Sequence, residues 1–99
     1  MIEILYFEGC PNHRSTVDLT RQLVSELGLD LEIREVPIET DAQAQQMRFL
    51  GSPSVRVNGR DIEPTAEEQR EFSLSCRVYR DGGVPPRDLL LGALRTAAS

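Results

Sequence analysis

The chain has 99 residues, 39% of them hydrophobic, with three Phe, two Tyr and no Trp, which specifies one domain (residues 1–99) around a small aliphatic core. Its formal net charge is −5, all eleven basic residues are arginine, and no basic patch is interleaved with aromatics. This balance argues against nucleic acid and membrane surfaces as partners, and the lack of lysine excludes side-chain Schiff bases and a Walker-type phosphate loop. Met1 leads directly into an apolar strand without a signal peptide, so a cytoplasmic protein is expected. In that reducing compartment the only two cysteines, Cys10 and Cys76, are expected as thiols. With a single histidine beside them they fall short of a structural zinc set, and no cofactor is expected.

Ile2 to Phe7 is apolar apart from Glu3, the pattern of a central strand, and Gly9 breaks it. The next stretch, Cys10-Pro11-Asn12-His13, opens a helix expected over Pro11 to Leu27. Pro11 suits a first helical position, Val17, Leu19, Leu23, Val24 and Leu27 form one apolar stripe, and Gly28 is the expected cap. Cys10 then faces the positive end of the helix, which favours thiolate over thiol. His13, about one turn on, is within reach of the sulfur as a proton acceptor or a positive neighbour. The alternative is a structural cysteine beside a surface histidine. Both side chains fall at the stripe's edge, toward a sheet edge.

Leu29 to Val36 alternates apolar and polar residues, which predicts an edge strand closed by Pro37. Thr40 to Gln43 has capping-box spacing, and Ala44, Met47 and Leu50 give the short helix after it one buried face before Gly51. Val55 and Val57 mark a third strand. Asn58-Gly59 is a hairpin turn, and Arg60 to Ile62 returns as the fourth. A brief helical turn is expected from Thr65 to about Glu71. Phe72, Leu74, Cys76 and Val78 then alternate with polar residues, so an extended segment with Cys76 on its apolar side is expected. Asp81-Gly82-Gly83 turns the chain. Pro85-Pro86 opens a last helix that packs through Leu90, Ala93, Leu94 and Ala97.

The order β-α-β-α-β-β-α, the strand that delivers Cys10-Pro11-Asn12-His13 to a helix start, and Ser52-Pro53 just before the third strand together resemble the thioredoxin-like superfamily. The resemblance covers roughly residues 2–62 and the last helix. It implies an α/β thioredoxin-like fold, with the extended Cys76 segment inserted before the last helix, and a cis Pro53 packed beside the active cysteine. His13 stands where that family has its resolving cysteine, and Ile4 where thioredoxins bury an acidic residue. A disulfide within the motif is therefore impossible. More narrowly, Phe7-Glu8-Gly9-Cys10-Pro11, Gly51-Ser52-Pro53 and Leu74-Ser75-Cys76-Arg77 resemble a group of small bacterial thioredoxin-fold proteins, selenoproteins among them, often labelled alkylmercury-lyase-like.

Three functions follow from these readings. In the first, Cys10, His13, Pro53 and Cys76 form a redox site for a disulfide, peroxide or thiol substrate. Cys10 attacks, and Cys76, an external thiol or a protein reductant resolves the product. In the second, Cys10 and Cys76 hold mercury or another soft metal and His13, standing where organomercurial lyases have an acidic residue, protonates a leaving carbon. The third is a redox-inert adaptor that keeps the fold. Cys76 itself reads either as a resolving thiol or as a small buried apolar residue.

Overall fold

The computed structural model describes residues 1–80 and 82–98; Asp81, part of the expected turn, lies outside them. Strand β1 (Ile2–Tyr6) leads through helix α1 (His13–Glu26) to β2 (Ile33–Pro37), and helix α2 (Asp41–Gln46) leads to the hairpin β3 (Ser54–Val57) and β4 (Arg60–Asp61). A 3-10 turn (Pro64–Glu68), an extended segment and helix α3 (Arg87–Ala98) complete the chain. The four strands form one mixed sheet in the order β2-β1-β3-β4, with β1 parallel to β2 and antiparallel to β3, and β3 antiparallel to β4. Over the described residues the molecule is thus a small α/β domain with three α-helices.

The apolar β1 lies inside the sheet, as its composition requires, and each face of it feeds a separate core. Ile2 and Ile4 meet Val55, Val57, Val17 and Leu23 of α1, and Leu90 and Leu94 of α3. Leu5 faces the other way, onto Ile38, Ala44 and Phe49 around α2. Alternation of side chains along the strands sets this division. The Thr40–Gln43 capping box forms in both directions and explains how a six-residue helix is held. Asn58, at φ 51°, and Gly59, at φ 84°, make the hairpin turn as expected.

Several boundaries differ from the sequence expectation, among them the end of α2 at Gln46 short of Leu50 and the start of α3 at Arg87 after both prolines. Helix α1 begins at His13 and not at Pro11. Gly9 at φ 87° and the Cys10 N–H donating to the Phe7 carbonyl at 3.2 Å commit Cys10 to a turn, so the helical ladder starts only where Thr16 N–H meets Asn12 O. Strand β2 starts at Ile33 because Leu29 N–H folds back onto Val24 O to close α1. It runs on through Pro37, which an edge position tolerates. The 3-10 turn starts at Pro64, after Glu63 and not after Thr65, and ends by Glu68.

The largest correction concerns the segment from Phe72 to Tyr79. Of the apolar row expected inside, Phe72 is buried, yet Cys76 is exposed, Leu74 is 39% exposed and Val78 is 79% exposed, while Arg77 and Tyr79 are buried. From Leu74 onward the segment is flipped because Arg77 finds charged partners inside. It runs beside the turn that precedes β3, pairing in parallel with Ser52 through Ser52 N–H to Ser75 O at 2.7 Å and Arg77 N–H to Ser52 O at 3.0 Å. The Ser52–Pro53 bond is cis, as the resemblance implies.

Gly51 permits this close approach. Its φ is 120°, and a Cβ there would stand 2.9 Å from the Arg77 nitrogen, a backbone atom that cannot swing aside. Gly51→Ala is expected to destabilise the fold by about 1–3 kcal/mol, from the strained backbone angle and the clash together. The check is a lower denaturant midpoint at unchanged slope. An unaltered midpoint contradicts the packing described. Among the described residues, no helix is long and apolar enough to cross a membrane.

Candidate functional site

Cys10 sits in the turn between β1 and α1, partly buried and as a free thiol. The turn is tied below and beside. Cys10 N–H donates to Phe7 O, His13 N–H donates to Cys10 O at 3.4 Å, and Phe7 N–H in turn donates to Ser52 Oγ at 3.3 Å. The Asn12 amide lies against Gly83, where an added Cβ would fall 2.0 Å from Nδ2, so the chain beyond the extended segment returns to the Cys10 turn. Because α1 starts three residues after Cys10, its first N–H groups lie farther from the sulfur than the expected helix start at Pro11 implied.

His13 opens α1 and is turned toward the sheet edge. Its ring stacks on Tyr6 at 3.6 Å between centroids with an interplanar angle of 8°. Its Nε2 lies 2.7 Å from Glu35 Oε1, yet this buried nitrogen makes no aligned hydrogen bond. Tyr6, on β1, and Glu35, opposite Ile4 on β2, project to the face that α1 covers, which is why one helical histidine meets both. The stacked Tyr6 ring and the nearby Glu35 carboxylate confine the orientation of the imidazole. The Tyr6 phenol is pushed above its ordinary range, first by burial and then by the charges of Glu8 and Glu35.

Sequence reasoning missed Glu35, although a signal was present. Glu35 continues the apolar register Leu29, Leu31, Ile33 on an edge strand, where a carboxylate needs a partner.

Cys76, also a free thiol, lies on the outward side of its segment and is exposed. What fixes it is its neighbour. Arg77 is 7% exposed and donates to Asp61 Oδ2 at 2.6 Å and Oδ1 at 2.8 Å, to Glu63 Oε1 at 2.6 Å, and to Ser54 Oγ at 3.0 Å. Its guanidinium also lies over the Tyr79 ring, 4.7 Å from the centroid. Burial opposes the charge, but the Asp61 hydrogen bonds, Tyr79 and Glu63 outweigh it and hold the arginine more firmly ionised than usual. Tyr79 Oη donates to Pro53 O at 2.6 Å. Pro53 is fully buried, so its role here is to carry that carbonyl and the Ser52 turn.

The Tyr79 phenol is raised well above its ordinary value, first by burial and then by Asp61 and Glu63, with Arg77 opposing. An acid whose folded-state value is raised contributes stability that is complete below its unfolded value, about pH 10, and is lost as pH rises beyond it. Tyr79→Phe is therefore expected to cost about 1 kcal/mol at neutral pH through the lost bond to Pro53 O. That wild-type advantage should shrink in denaturant unfolding above about pH 10. A gap that stays constant or widens with pH contradicts this ionisation.

Comparison with known proteins finds no matching family model, no matching curated protein and no matching solved structure. Among the described residues no group of three or more His, Cys, Asp or Glu side chains converges to hold a metal ion. The arrangement does bring two thiol-bearing segments against one residue. Ser52 holds the Cys10 turn through its hydroxyl and Phe7, and holds the Cys76 segment through its backbone.

Proposed function

We propose that the chain is a thioredoxin-like thiol oxidoreductase in which Cys10 is the attacking thiol and Cys76 the resolving one. The observation that carries this reading is the shared anchorage on Ser52, with the Cys10 turn on one side and the parallel pairing of Cys76 on the other. The sheet order β2-β1-β3-β4, with β3 antiparallel to β1, agrees with a thioredoxin-like arrangement.

In the reaction, the Cys10 thiolate attacks one sulfur of a small disulfide, forming a mixed disulfide and expelling the first thiolate. The Cys76 thiolate then attacks the Cys10 sulfur and expels the second. The net change is one Cys10–Cys76 disulfide formed and one external disulfide reduced to two thiols, whose protons come from the two cysteines. In this reading His13, whose ring stacks on Tyr6 beside Glu35, is the proton carrier for the Cys10 turn; the support is its place three residues after Cys10 at the start of α1.

The test uses the reduced full-length protein and glutathione disulfide in a single turnover. Release of two glutathione molecules per chain supports the cycle. Release of neither, with both protein thiols still titratable, overturns it and leaves the redox-inert adaptor.

A further inference from the structure

The Arg77 cluster has a consequence for Cys76 beyond folding. A surface segment without regular structure ordinarily samples many conformations, and a thiol on it meets a partner sulfur only occasionally. Here the residue next to Cys76 is clamped from inside the protein. The guanidinium fork spends its donors on Asp61, Glu63 and Ser54, all on the hairpin or immediately beyond it, so the clamp ties the segment to β3 and β4. The Arg77 backbone N–H and the Ser75 carbonyl, on either side of Cys76, close onto Ser52. Tyr79 adds the bond to Pro53 O. Every one of these ties ends on Ser52–Ser54, on Asp61 of β4 or on Glu63 just beyond it, and Ser52 also holds the turn of Cys10.

We propose that Arg77 is a positioning residue for the thiol pair, fixing Cys76 at the Ser52 turn and thereby raising its effective concentration toward Cys10. This rests on the two-thiol reading above. It adds that the internal disulfide depends on the buried guanidinium fork and not merely on having two cysteines in one chain. A lysine has the charge but not the planar fork that reaches Asp61, Glu63 and Ser54 together, so it fills the role only in part. The Cys76 side chain itself is exposed and not packed in the core, and the positioning role has it turn to the Cys10 sulfur once a mixed disulfide forms there.

The experiment equilibrates the full chain with reduced and oxidised glutathione and measures, by mass spectrometry after acid quench, the ratio of the internal Cys10–Cys76 disulfide to the Cys10–glutathione mixed disulfide. That ratio, at a known glutathione concentration, is the effective concentration of Cys76. Arg77→Met alone leaves two carboxylates unpaired, so it is accompanied by the neutral triple variant R77M/D61N/E63Q, which removes the charges together. Circular dichroism and the unfolding midpoint identify variants that remain folded. In the folded triple variant the ratio is expected to fall about tenfold or more, and in Arg77→Lys by a smaller factor. A folded triple variant with the wild-type ratio overturns the positioning role. If the wild type itself shows only the glutathione adduct, the two-thiol reading fails first, and this inference with it. A triple variant that unfolds overturns the separation of positioning from stability and makes Arg77 a folding residue alone.

Discussion

Arg77→Ala is expected to be among the most destabilising single substitutions in this chain, costing about 3–5 kcal/mol of folding free energy. The loss is not mainly that of an attraction. Asp61 has a side chain only 10% exposed, and without the guanidinium its carboxylate stays in a site that water reaches poorly. Glu63, at 33%, can rehydrate, which places the cost toward the lower end of the range. Tyr79 also loses the cation over its ring, worth about 0.5–1 kcal/mol. Because the cost is that of stranding charge, R77M/D61N/E63Q should be less destabilised than Arg77→Ala although it carries three substitutions. Urea unfolding of the variants checks this ordering. A triple variant less stable than Arg77→Ala contradicts it.

Cys76→Ser should convert a two-step reaction into a one-step trap. With Cys10 intact, a small disulfide still reacts, but the mixed disulfide on Cys10 has no internal thiol to expel its second half. His13 occupies the fourth motif position and cannot form a disulfide, so the adduct should persist until an external thiol removes it. The yield of trapped adduct is expected to rise from a minor species in the wild type to nearly one per chain. Intact-mass measurement after brief exposure reads the result directly. Equal adduct in both proteins means that Cys76 resolves nothing. Cys10→Ser, in contrast, leaves only the exposed Cys76 to form an adduct and no route to an internal bond.

Much of the frame was legible because single-residue signals were unambiguous: the apolar β1, the capping box at Thr40, the Asn58-Gly59 turn and the Leu90–Leu94 face of α3. Thr16 and Thr20 escaped the pattern. They are buried in α1, with hydroxyls donating to the carbonyls of Asn12 and Thr16, so polar residues occupy the core face without unsatisfied groups. The extended segment was read inside out for a related reason. Alternation reports which row is more apolar and places Phe72 correctly, but Leu74 to Val78 is decided by one arginine whose partners lie 16 and 14 residues back, at Asp61 and Glu63. No local pattern carries that pairing. The site was accordingly half visible. The motif at Cys10 could be read from its place between strand and helix, and Ser52-Pro53 from the family resemblance, whereas Glu35 behind His13 and the clamp behind Cys76 depend on strand register and tertiary contact.

The most direct test of the account is the fate of Cys10 on oxidation. The reduced protein is treated briefly with glutathione disulfide, remaining thiols are blocked, and the chain is digested with trypsin. Cleavage after Arg14, Arg70 and Arg77 places Cys10 and Cys76 in separate peptides, Met1–Arg14 and Glu71–Arg77. The expected result is a dominant species in which these two peptides are joined by a disulfide. Cys10 recovered only as a glutathione adduct or over-oxidised acid, with Cys76 carrying the blocking group, would contradict it and leave a single-thiol reagent.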